Sequence, residues 1–385
     1  MTATERSETA EVLEALRHVW DPELHDNVVD LGMVRGVDID ADGVATVHLA
    51  LTIAGCPMRT QLRTETESKV RAVPGVTDVR VVMGEMTKDE RSALMARARK
   101  KAAERAPDTE VPGTTRVLAI ASGKGGVGKS SVTVNLAVAL AARGLTVGVL
   151  DADIWGFSVP RMLGLGGRLG GADGKIHPIE QKVGDEGGLL KVVSMGSLVD
   201  DESQALMWRG LILTKALEQF LTDVRWGDMD YLLVDMPPGT GDIQMGLARL
   251  LPRAEMVIVT TPSVAAQKVA VRAADMAKRG YLRVAGVIEN MSSFTCDDGD
   301  SYALFGSGGG QALADDIRVP LLAQIPIEPS VAEGGDTGAP AALGEGPAAV
   351  VFRALAERVV TEVLPPLEMA GCTVRMLAAA NGALR

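Results

Sequence analysis

An eight-residue segment in the first third of the chain matches the pattern G-x-x-x-x-G-K-[ST] at every fixed position. An apolar, β-branched run at residues 116–121 precedes it and predicts a buried strand, and residues 129–143 predict a helix. Glycines let the backbone curl so that successive N–H groups point at an anion, and the helix N-terminus faces the same point. A glycine-rich turn without a ligand is the alternative; we predict a phosphate-binding loop. The predicted nucleotide contacts are Gly123, Lys124, Gly125, Gly126, Val127, Gly128, Lys129, Ser130 and Ser131.

Two side chains of this loop have predicted chemical roles. Lys129 is expected to reach the β- and γ-phosphates of a nucleotide, and the Ser130 hydroxyl is expected to bind Mg²⁺. Lys124 follows the first glycine directly, and a lysine there is not needed to hold phosphates within one chain. The loop therefore predicts Mg²⁺-dependent nucleotide chemistry. This chemistry within one chain does not account for Lys124.

The composition limits the remaining classes of function. With 385 residues, two domains are the default expectation. The formal net charge of −11 does not favour broad nucleic-acid binding. The N-terminus lacks signal-peptide features and no apolar run approaches membrane-spanning length, so no stable membrane association is expected. The three cysteines, Cys56, Cys296 and Cys372, are few and far apart, which argues against a disulfide framework and predicts a cytoplasmic protein.

The chain divides by composition into a small unit at residues 1–86, a linker at 87–115 and a larger unit at 116–385. Within the linker, residues 87–105 predict a charged, solvated helix, and residues 106–115 contain two prolines and a glycine. The small unit predicts an α–β–β–α–β order with a hairpin turn between its first two strands. Its expected helices lie at 9–20 and 57–73, and its strands at 28–39, 44–53 and 76–83.

From residue 116 onward, strand and helix patterns alternate, which predicts a mostly parallel sheet with helices on both faces. The fold class is therefore α/β, a P-loop NTPase sheet preceded by a small α+β domain. Residues 164–182 are rich in glycine and are expected to form a surface loop. Strands are predicted at 117–121, 147–150, 189–194, 231–234, 256–260, 283–288 and 321–324, and helices at 129–143, 204–221, 242–251, 264–279, 310–317 and 347–363.

Carboxylates follow two of these strands, at the sheet edge where ligands bind in such folds. Asp151 and Asp153 come directly after the strand at 147–150, where one can hold the magnesium shell through water and the other can orient an attacking water. Helix capping is the alternative for either residue. Asp235 ends the strand at 231–234 and gives the Walker B pattern, a position from which a carboxylate binds Mg²⁺ through water.

The loop after Asp235 has the composition of a switch. Its sequence runs Met-Pro-Pro-Gly-Thr-Gly-Asp over residues 236–242. The two prolines stiffen it, and Gly239 and Gly241 let the backbone approach a γ-phosphate. Such a loop can sense that phosphate and pass the change on as a movement.

The motifs together resemble a known family. The K-G-G-x-G-K-S form of the loop resembles the deviant P-loop ATPases, which include MinD, ParA and the nitrogenase iron protein. With the segments at 151–154, 208–210, 235–242 and 289–291, residues 116–363 resemble the Mrp/ApbC family of iron–sulfur cluster carrier ATPases. The resemblance implies a homodimer that hydrolyses ATP slowly and passes a bridging iron–sulfur cluster to apoproteins.

The same resemblance implies roles for individual residues. Lys124 would reach the partner's nucleotide across the dimer. Asp153 would activate water, with Asp151 in a supporting role. The Asn290 amide would recognise adenine, which suggests ATP, and residues 326–329 would flank the base. The segment at 154–160 looks like the first switch, although Phe157 stands where proline is usual.

The small unit resembles a domain found alone or fused in iron–sulfur assembly proteins. Asp21-Pro22-Glu23 and the Cys56-Pro57 pair after Thr52 carry this resemblance. A cysteine at a helix N-terminus tends toward the thiolate form because the helix dipole favours negative charge there. A small buried side chain at a tight corner is an equally good interpretation of Cys56.

The sequence departs from the family where the cluster is expected to bind. The family usually has Cys-x-x-Cys after its Asn-Met-Ser segment, but this chain has Cys296 and then Gly299. Two chains would supply two thiolates of the four that a [4Fe–4S] cluster normally takes. The missing ligands would be Asp297 or Asp298, Cys372, Cys56 or a small thiol, and the cluster would be labile. The alternative is that the cluster site is lost and Cys296 is a small side chain in a loop.

Two functions of other classes compete with a cluster carrier. A MinD/ParA-like positioning ATPase would need a membrane-seeking tail or a basic DNA-binding face, and neither is clear in the sequence. A nucleotide-switched scaffold ATPase would leave Cys296 with a structural role only.

Overall fold

The computed structural model describes residues 3–21, 26–52, 58–154, 156–166, 169–198, 210–239, 241–296 and 298–366. The chain forms two compact units, Met1–Arg105 and Ala106–Arg385. Among the described residues, no helix has both the length and the apolar content needed to cross a bilayer.

The first unit is built on a three-stranded sheet. Val34–Ile39 and Val44–Leu51 form the expected hairpin, and Val44–Leu51 pairs in parallel with Asp78–Glu85. Asp40 stabilises the hairpin turn by accepting hydrogen bonds from the amides of Asp42 and Val44. The other elements are helices Ala3–Leu16, Arg59–Arg71 and Lys88–Arg105 and the short strands Trp20–Asp21 and Asp26–Asn27.

The helix Lys88–Arg105 belongs to this unit, which differs from the solvated linker helix expected within residues 87–115. Leu94 and Ala98 lie four residues apart, on one face of the helix, and both are buried. The many charged residues of the helix obscure this narrow apolar stripe in the sequence. The boundary between the compact units therefore falls at residue 105, and the short segment after it contains the prolines.

Ion pairs connect the same helix to the rest of the first unit. The Lys101 ammonium lies 2.7 Å from both Asp26 and Asp30. Arg35 donates two hydrogen bonds to Glu90, at 2.9 and 2.7 Å, and these bonds lower the pKa of Glu90 to about 2. Much of the charge that suggested a solvated helix is therefore paired within the unit.

We expect a fragment of residues 1–105 to unfold cooperatively and a fragment of residues 1–86 to be less stable by at least about 2 kcal/mol. The shorter fragment uncovers the surface under Leu94 and leaves the buried Asp26 without Lys101. Urea denaturation of both fragments measures the difference. Within residues 1–105, Leu94→Ala should lower stability and the exposed Ser92→Ala should not. Equal stability of the two fragments would mean that the helix contributes nothing to the fold.

The second unit is organised around a nine-stranded, mostly parallel sheet, which confirms the predicted fold class. The phosphate-loop strand Arg116–Ser122 lies between Tyr231–Asp235 and Glu255–Thr260. Antiparallel pairing is confined to the two ends of the sheet. The order of strands is Ile179–Val183, Gly188–Ser194, Thr146–Asp151, Tyr231–Asp235, Arg116–Ser122, Glu255–Thr260 and Arg283–Thr295, the last pairing with both Ser301–Tyr302 and Leu321–Ile327.

Helices cover both faces of this sheet, so the strand Arg116–Ser122 is buried on both sides. Alternate side chains of this strand enter two separate clusters: Leu118 and Ile120 join one, and Val117 and Ala119 join the other. This explains its continuous apolar run. The helices are Lys129–Ala141, Val159–Met162, Gly210–Thr222, Asp242–Leu250, Val264–Arg279, Gly309–Ile317, Pro329–Thr337 and Pro347–Arg358, with shorter turns at Met195–Leu198, Ala341–Leu343 and Val359–Val363.

Two segments of the second unit differ from expectation, and the first of them adds a separate two-stranded sheet. The glycine-rich segment at 164–182, expected to be a loop, contains the strands Gly170–Ala172 and Lys175–His177 and the start of Ile179–Val183. Asp173 and Gly174 have φ of 54° and 74°, and an Asp-Gly pair in this conformation makes a tight hairpin turn. The strand predicted to end at residue 288 continues to Thr295. The first residues of the helix predicted at 204–221 lie outside the described residues, and its described part is Gly210–Thr222.

Candidate active site

The register of the sheet brings the predicted carboxylates together. Asp235 is the direct neighbour of Asp151 on one side and of Ile120 on the other. The phosphate loop follows the strand that contains Ile120, so the loop and both aspartates lie at one sheet edge. The structure therefore places the phosphate loop, Asp151 and Asp235 side by side, as the sequence predicts.

Residues 124–130 of the loop line a cavity of about 420 Å³. The predicted contact Gly123 does not line it and is buried against the backbone of Val269 and Ala270. Gly126 and Gly128 have φ of 78° and 76°, a left-handed conformation that favours glycine. Lys129 begins the helix Lys129–Ala141, whose N-terminus faces the loop. Ser131 and the exposed Lys124 also line the cavity. The backbone thus has the geometry of an anion site.

Asp235 is the centre of a buried polar cluster. Its carboxylate lies 2.7 Å from the Lys129 ammonium and accepts a 2.6 Å hydrogen bond from the Ser130 hydroxyl. Thr133 donates to its other oxygen at 2.7 Å. Thr133 did not emerge from the sequence analysis, although its position one helical turn after Ser130 is a usable signal. The three donors fix Asp235 beside the loop.

Asp151 and Asp153 differ in their surroundings. Asp151 has no solvent exposure, does not line the cavity, and accepts hydrogen bonds from the amides of Asp153, Ser158 and Val159 and from the Ser194 hydroxyl. Burial and the neighbouring Asp235 raise the pKa of Asp151 to about 7. Its hydrogen bonds with Ser158 and Val159 tie the end of the segment at 154–160 to the sheet.

Asp153, by contrast, lines the cavity. It is 7% exposed, and its Oδ2 lies 3.8 Å from the Lys129 ammonium. Of the two aspartates it alone faces the space beside the phosphate loop, so it is the one in position to meet a ligand there.

Phe157 replaces the expected proline, and its ring lies where a side chain on Gly196 would have to be. The segment at 156–160, predicted to be part of the first switch, is therefore packed against the turn Met195–Leu198 through this ring. Trp155 lies outside the described residues, as do Trp208 and Arg209.

Asn290 lies against the phosphate loop and not in the cavity wall. Its amide nitrogen donates a 2.9 Å hydrogen bond to the Val127 carbonyl. A Cβ atom on Gly128 would overlap that same nitrogen. One amide hydrogen of Asn290 is thus engaged with the loop, so recognition of adenine, which the resemblance implies, would use the second amide hydrogen or the amide oxygen and stays a prediction.

The loop after Asp235 is bonded to the phosphate-loop strand. The amide of Gly239 donates to the Ser122 carbonyl at 2.9 Å, and the Gln244 side chain donates to the Gly239 carbonyl at 2.6 Å. Pro238 reaches the cavity wall. Thr240 lies outside the described residues. The position of this loop fits the predicted switch.

The opposite wall of the cavity comes from residues that the sequence analysis overlooked. Arg161 and Met162 of a short helix contribute to it, as does the helix Pro329–Thr337. The signals for the second helix were a proline at its first position and Gly338 after its end, with φ of 74°. Its glycines obscured the helical pattern.

The donor set fits Mg²⁺. Ser130 and Asp235 offer oxygen atoms, which this hard cation prefers. Two buried carboxylates, Asp153 and Asp235, lie 3.8 and 2.7 Å from the buried ammonium group of Lys129, and Asp151, the strand neighbour of Asp235, has a raised pKa. This excess of negative charge favours a divalent cation. Within the described parts of the chain no three His, Cys, Asp or Glu side chains gather as a metal site.

Cys296 lies at the turn that follows the long strand Arg283–Thr295. Its amide donates to the Asp300 carbonyl at 3.0 Å, and its own carbonyl accepts from Gly299 at 2.9 Å. The thiol is partly exposed. Cys56, Cys372 and Asp297 lie outside the described residues, and Asp298 is exposed.

A parallel sheet with a phosphate loop, a Walker B aspartate and a proline-rich switch defines a P-loop nucleoside triphosphatase. Within that class, the family described as NUBPL iron-transfer P-loop NTPase matches residues 113–360, and the family described as iron-sulfur cluster assembly protein matches residues 9–82. The chain belongs to the iron-transfer P-loop NTPase family, which confirms the resemblance seen in its sequence motifs.

Curated relatives extend over about nine-tenths of the chain. An iron-sulfur cluster carrier protein of Mycobacterium tuberculosis is 44% identical over 349 residues, covering 89% of this chain and 90% of the relative. One of Deinococcus radiodurans is 42% identical over 357 residues, covering 91% and 95%. A solved structure, a nucleotide-binding protein of Archaeoglobus fulgidus in complex with ADP, is 34% identical, covers 63% of this chain and 91% of its own, and has a TM-score of 0.49.

Proposed function

We propose that this protein is an ATP-hydrolysing iron–sulfur cluster carrier that passes its cluster to apoproteins. The convergence of Lys129, Ser130 and Asp235 at the phosphate loop is the observation that carries the ATPase part. Family membership and the two named relatives support the carrier part. The small unit matches an iron–sulfur cluster assembly family, which also supports a role in handling iron–sulfur clusters.

Each residue of the site has a task in hydrolysis. Backbone N–H groups of the loop and the Lys129 ammonium bind the phosphate oxygens and neutralise charge that develops on them. Asp153 lies in the cavity wall, where a carboxylate can orient the attacking water. Asp151 is buried and holds the first switch in place. Mg²⁺, bound by Ser130 and through water by Asp235, would supply charge neutralisation between the phosphates.

We further propose a cytoplasmic homodimer with facing nucleotide sites. Lys124 is exposed at the cavity, which suits a lysine that serves a partner's nucleotide. The partners of this dimer are apo iron–sulfur proteins and the cluster assembly machinery, with no nucleic acid and no stable membrane association. The few, distant cysteines suit a reducing compartment.

The cluster is the cargo, and we propose that two Cys296 residues, one from each chain, anchor it. The partial exposure of this thiol at a turn suits a position that a second chain can meet. The remaining ligands stay open among Asp297, Asp298, Cys372, Cys56 and a small thiol. A carboxylate is a harder ligand than a thiolate, so a cluster completed by aspartate would be lost easily.

Anaerobic reconstitution with iron and sulfide tests this function. Wild type should gain visible absorption and bound iron and sulfide, and should transfer the cluster to an apo iron–sulfur enzyme whose activity reports receipt. Cys296→Ala should lose the cluster and retain nucleotide binding. Cys56→Ala and Cys372→Ala test whether either of these thiols completes the ligand set.

The outcomes separate the competing functions. Equal cluster content in wild type and Cys296→Ala would remove the proposed anchor, and loss in Cys56→Ala alone would move the site to the small unit. ATP hydrolysis with no cluster in any sample would favour a positioning or scaffold ATPase.

A further inference from the structure

The segment at residues 289–291 touches the phosphate loop with two adjacent side chains. Asn290 is 6% exposed and donates its amide hydrogen to the Val127 carbonyl at 2.9 Å. The methyl group of Met291 also approaches Gly128, since a Cβ there would lie 3.6 Å from it. A shift of the loop backbone therefore meets this segment directly.

The preceding residue, Glu289, connects the same segment to a helix. Its carboxylate, on a residue that is 1% exposed, accepts a 2.5 Å hydrogen bond from the Gly310 amide at the start of Gly309–Ile317. Gln324 donates to its other oxygen at 2.7 Å. The backbone of Gly310 lies close to the Glu289 side chain, because a Cβ on Gly310 would lie 2.5 Å from the Cβ of Glu289. The helix start is thus fixed to the strand end.

Residues 291–308 lie between these two attachments, and we call them the cysteine hairpin. At the start of the hairpin Met291 has a φ of 58°, which is unusual for a residue with a long side chain. The register of pairing with Leu321–Ile327 shifts here, between Asn290 and Phe294, and Phe294 still pairs with Ile327. The hairpin returns at Gly309 and Gly310, which are buried, whereas residues 298–308 are exposed. Cys296 lies in its turn. Both ends of the hairpin are therefore fixed at one place, beside the phosphate loop.

We infer that residues 289–291 couple the phosphate loop to the cysteine hairpin, so that nucleotide at the loop slows opening of the hairpin. Local opening exposes backbone groups and needs the end contacts to loosen. A nucleotide that fixes the loop backbone keeps the Val127 carbonyl in place and so preserves its bond with Asn290. Coupling between sites is reciprocal, so the state of the hairpin also changes nucleotide affinity. This inference rests on one part of the proposed function, which is that a nucleotide binds at the phosphate loop.

The reaction rate of Cys296 with a thiol reagent measures this coupling. The chain should carry Cys56→Ser and Cys372→Ser, which leave Cys296 as its single cysteine. With reduced, cluster-free protein and saturating Mg-ADP, labelling should slow by about fivefold, the lower end of typical coupling between linked sites. Equilibrium dialysis of ADP on the same samples measures binding directly. Full ADP binding with an unchanged labelling rate overturns the inference alone, whereas no ADP binding contradicts the proposed function and the inference together.

Asn290→Ala should remove the response of Cys296 to ADP and speed its labelling without nucleotide. Asn135→Ala is the matched control: it deletes another buried asparagine of the same unit, one that bonds the Ser131 carbonyl and the Ala342 amide. The control should keep the slowing by ADP even where it lowers stability. An equal response in Asn290→Ala and wild type, at equal ADP occupancy, would contradict the coupling.

Met291→Gly keeps the test decisive if Asn290→Ala folds poorly. Glycine adopts a φ of 58° without strain, so the chain should fold, yet the exit of the hairpin gains freedom. The slowing by ADP should fall from about fivefold to below about twofold. Met291→Gly with the full wild-type response would count against a rigid connection.

Discussion

Lys129→Ala should lower ATP hydrolysis by at least about a hundredfold, the scale on which removal of one charge-stabilising group acts. Lys129 is the buried cation of the phosphate loop, 6% exposed and 2.7 Å from Asp235. Its loss removes a contact to the phosphates and leaves Asp235 and Asp151 as buried carboxylates without their nearest positive charge. Single-turnover hydrolysis measured per folded molecule gives the effect.

The same substitution should destabilise the nucleotide-free protein by about 3–5 kcal/mol, because it breaks a buried ion pair. Circular dichroism must therefore confirm folding before rates are compared. Lys124→Ala is the control within the loop: this exposed lysine should leave nucleotide binding by one chain intact and lower hydrolysis only where two chains meet. Wild-type turnover by folded Lys129→Ala would refute the assignment of the loop.

The sequence predicted those parts of the site that local rules determine. The phosphate loop, the strand that ends at Asp235 and the positions of Asp151 and Asp153 follow from glycine conformation and from the geometry of parallel strands. Their common sheet edge could be predicted without knowing which strands are neighbours. The direct pairing of Asp151 with Asp235 depends on strand order, which no local pattern reveals.

Other features depend on contacts between distant segments. The hydrogen bond from Asn290 to Val127 joins residues 163 positions apart, so no local sequence pattern indicates it. The charged helix Lys88–Arg105 belongs to the small unit because Leu94 and Ala98 are buried. The helix Pro329–Thr337 has weak intrinsic propensity and is fixed by neighbours such as Met162, which meets Gly335. Tertiary contacts override local preference in each of these cases.

Gly128→Ala should destabilise the protein by about 1–3 kcal/mol more than Gly126→Ala. The two glycines are a matched pair, because their φ values are 76° and 78° and alanine is strained equally at both. Their surroundings differ: a Cβ on Gly126 meets nothing within 4 Å, whereas one on Gly128 overlaps the amide nitrogen of Asn290. Asn290 can move aside only by giving up its bond to Val127. Urea denaturation without nucleotide, in a Trp20→Phe chain whose remaining tryptophans lie in the larger unit, measures both costs.

A double-mutant cycle then assigns the extra cost to a single contact. In an Asn290→Ala background the overlap is gone, so Gly128→Ala should cost no more than Gly126→Ala does in wild type. The coupling between the two positions should reach about 1–3 kcal/mol, which is typical of residues in contact. An unchanged cost of Gly128→Ala in that background would mean that the loop does not rest on Asn290. It would also remove the structural basis for a connection from the phosphate loop to the cysteine hairpin.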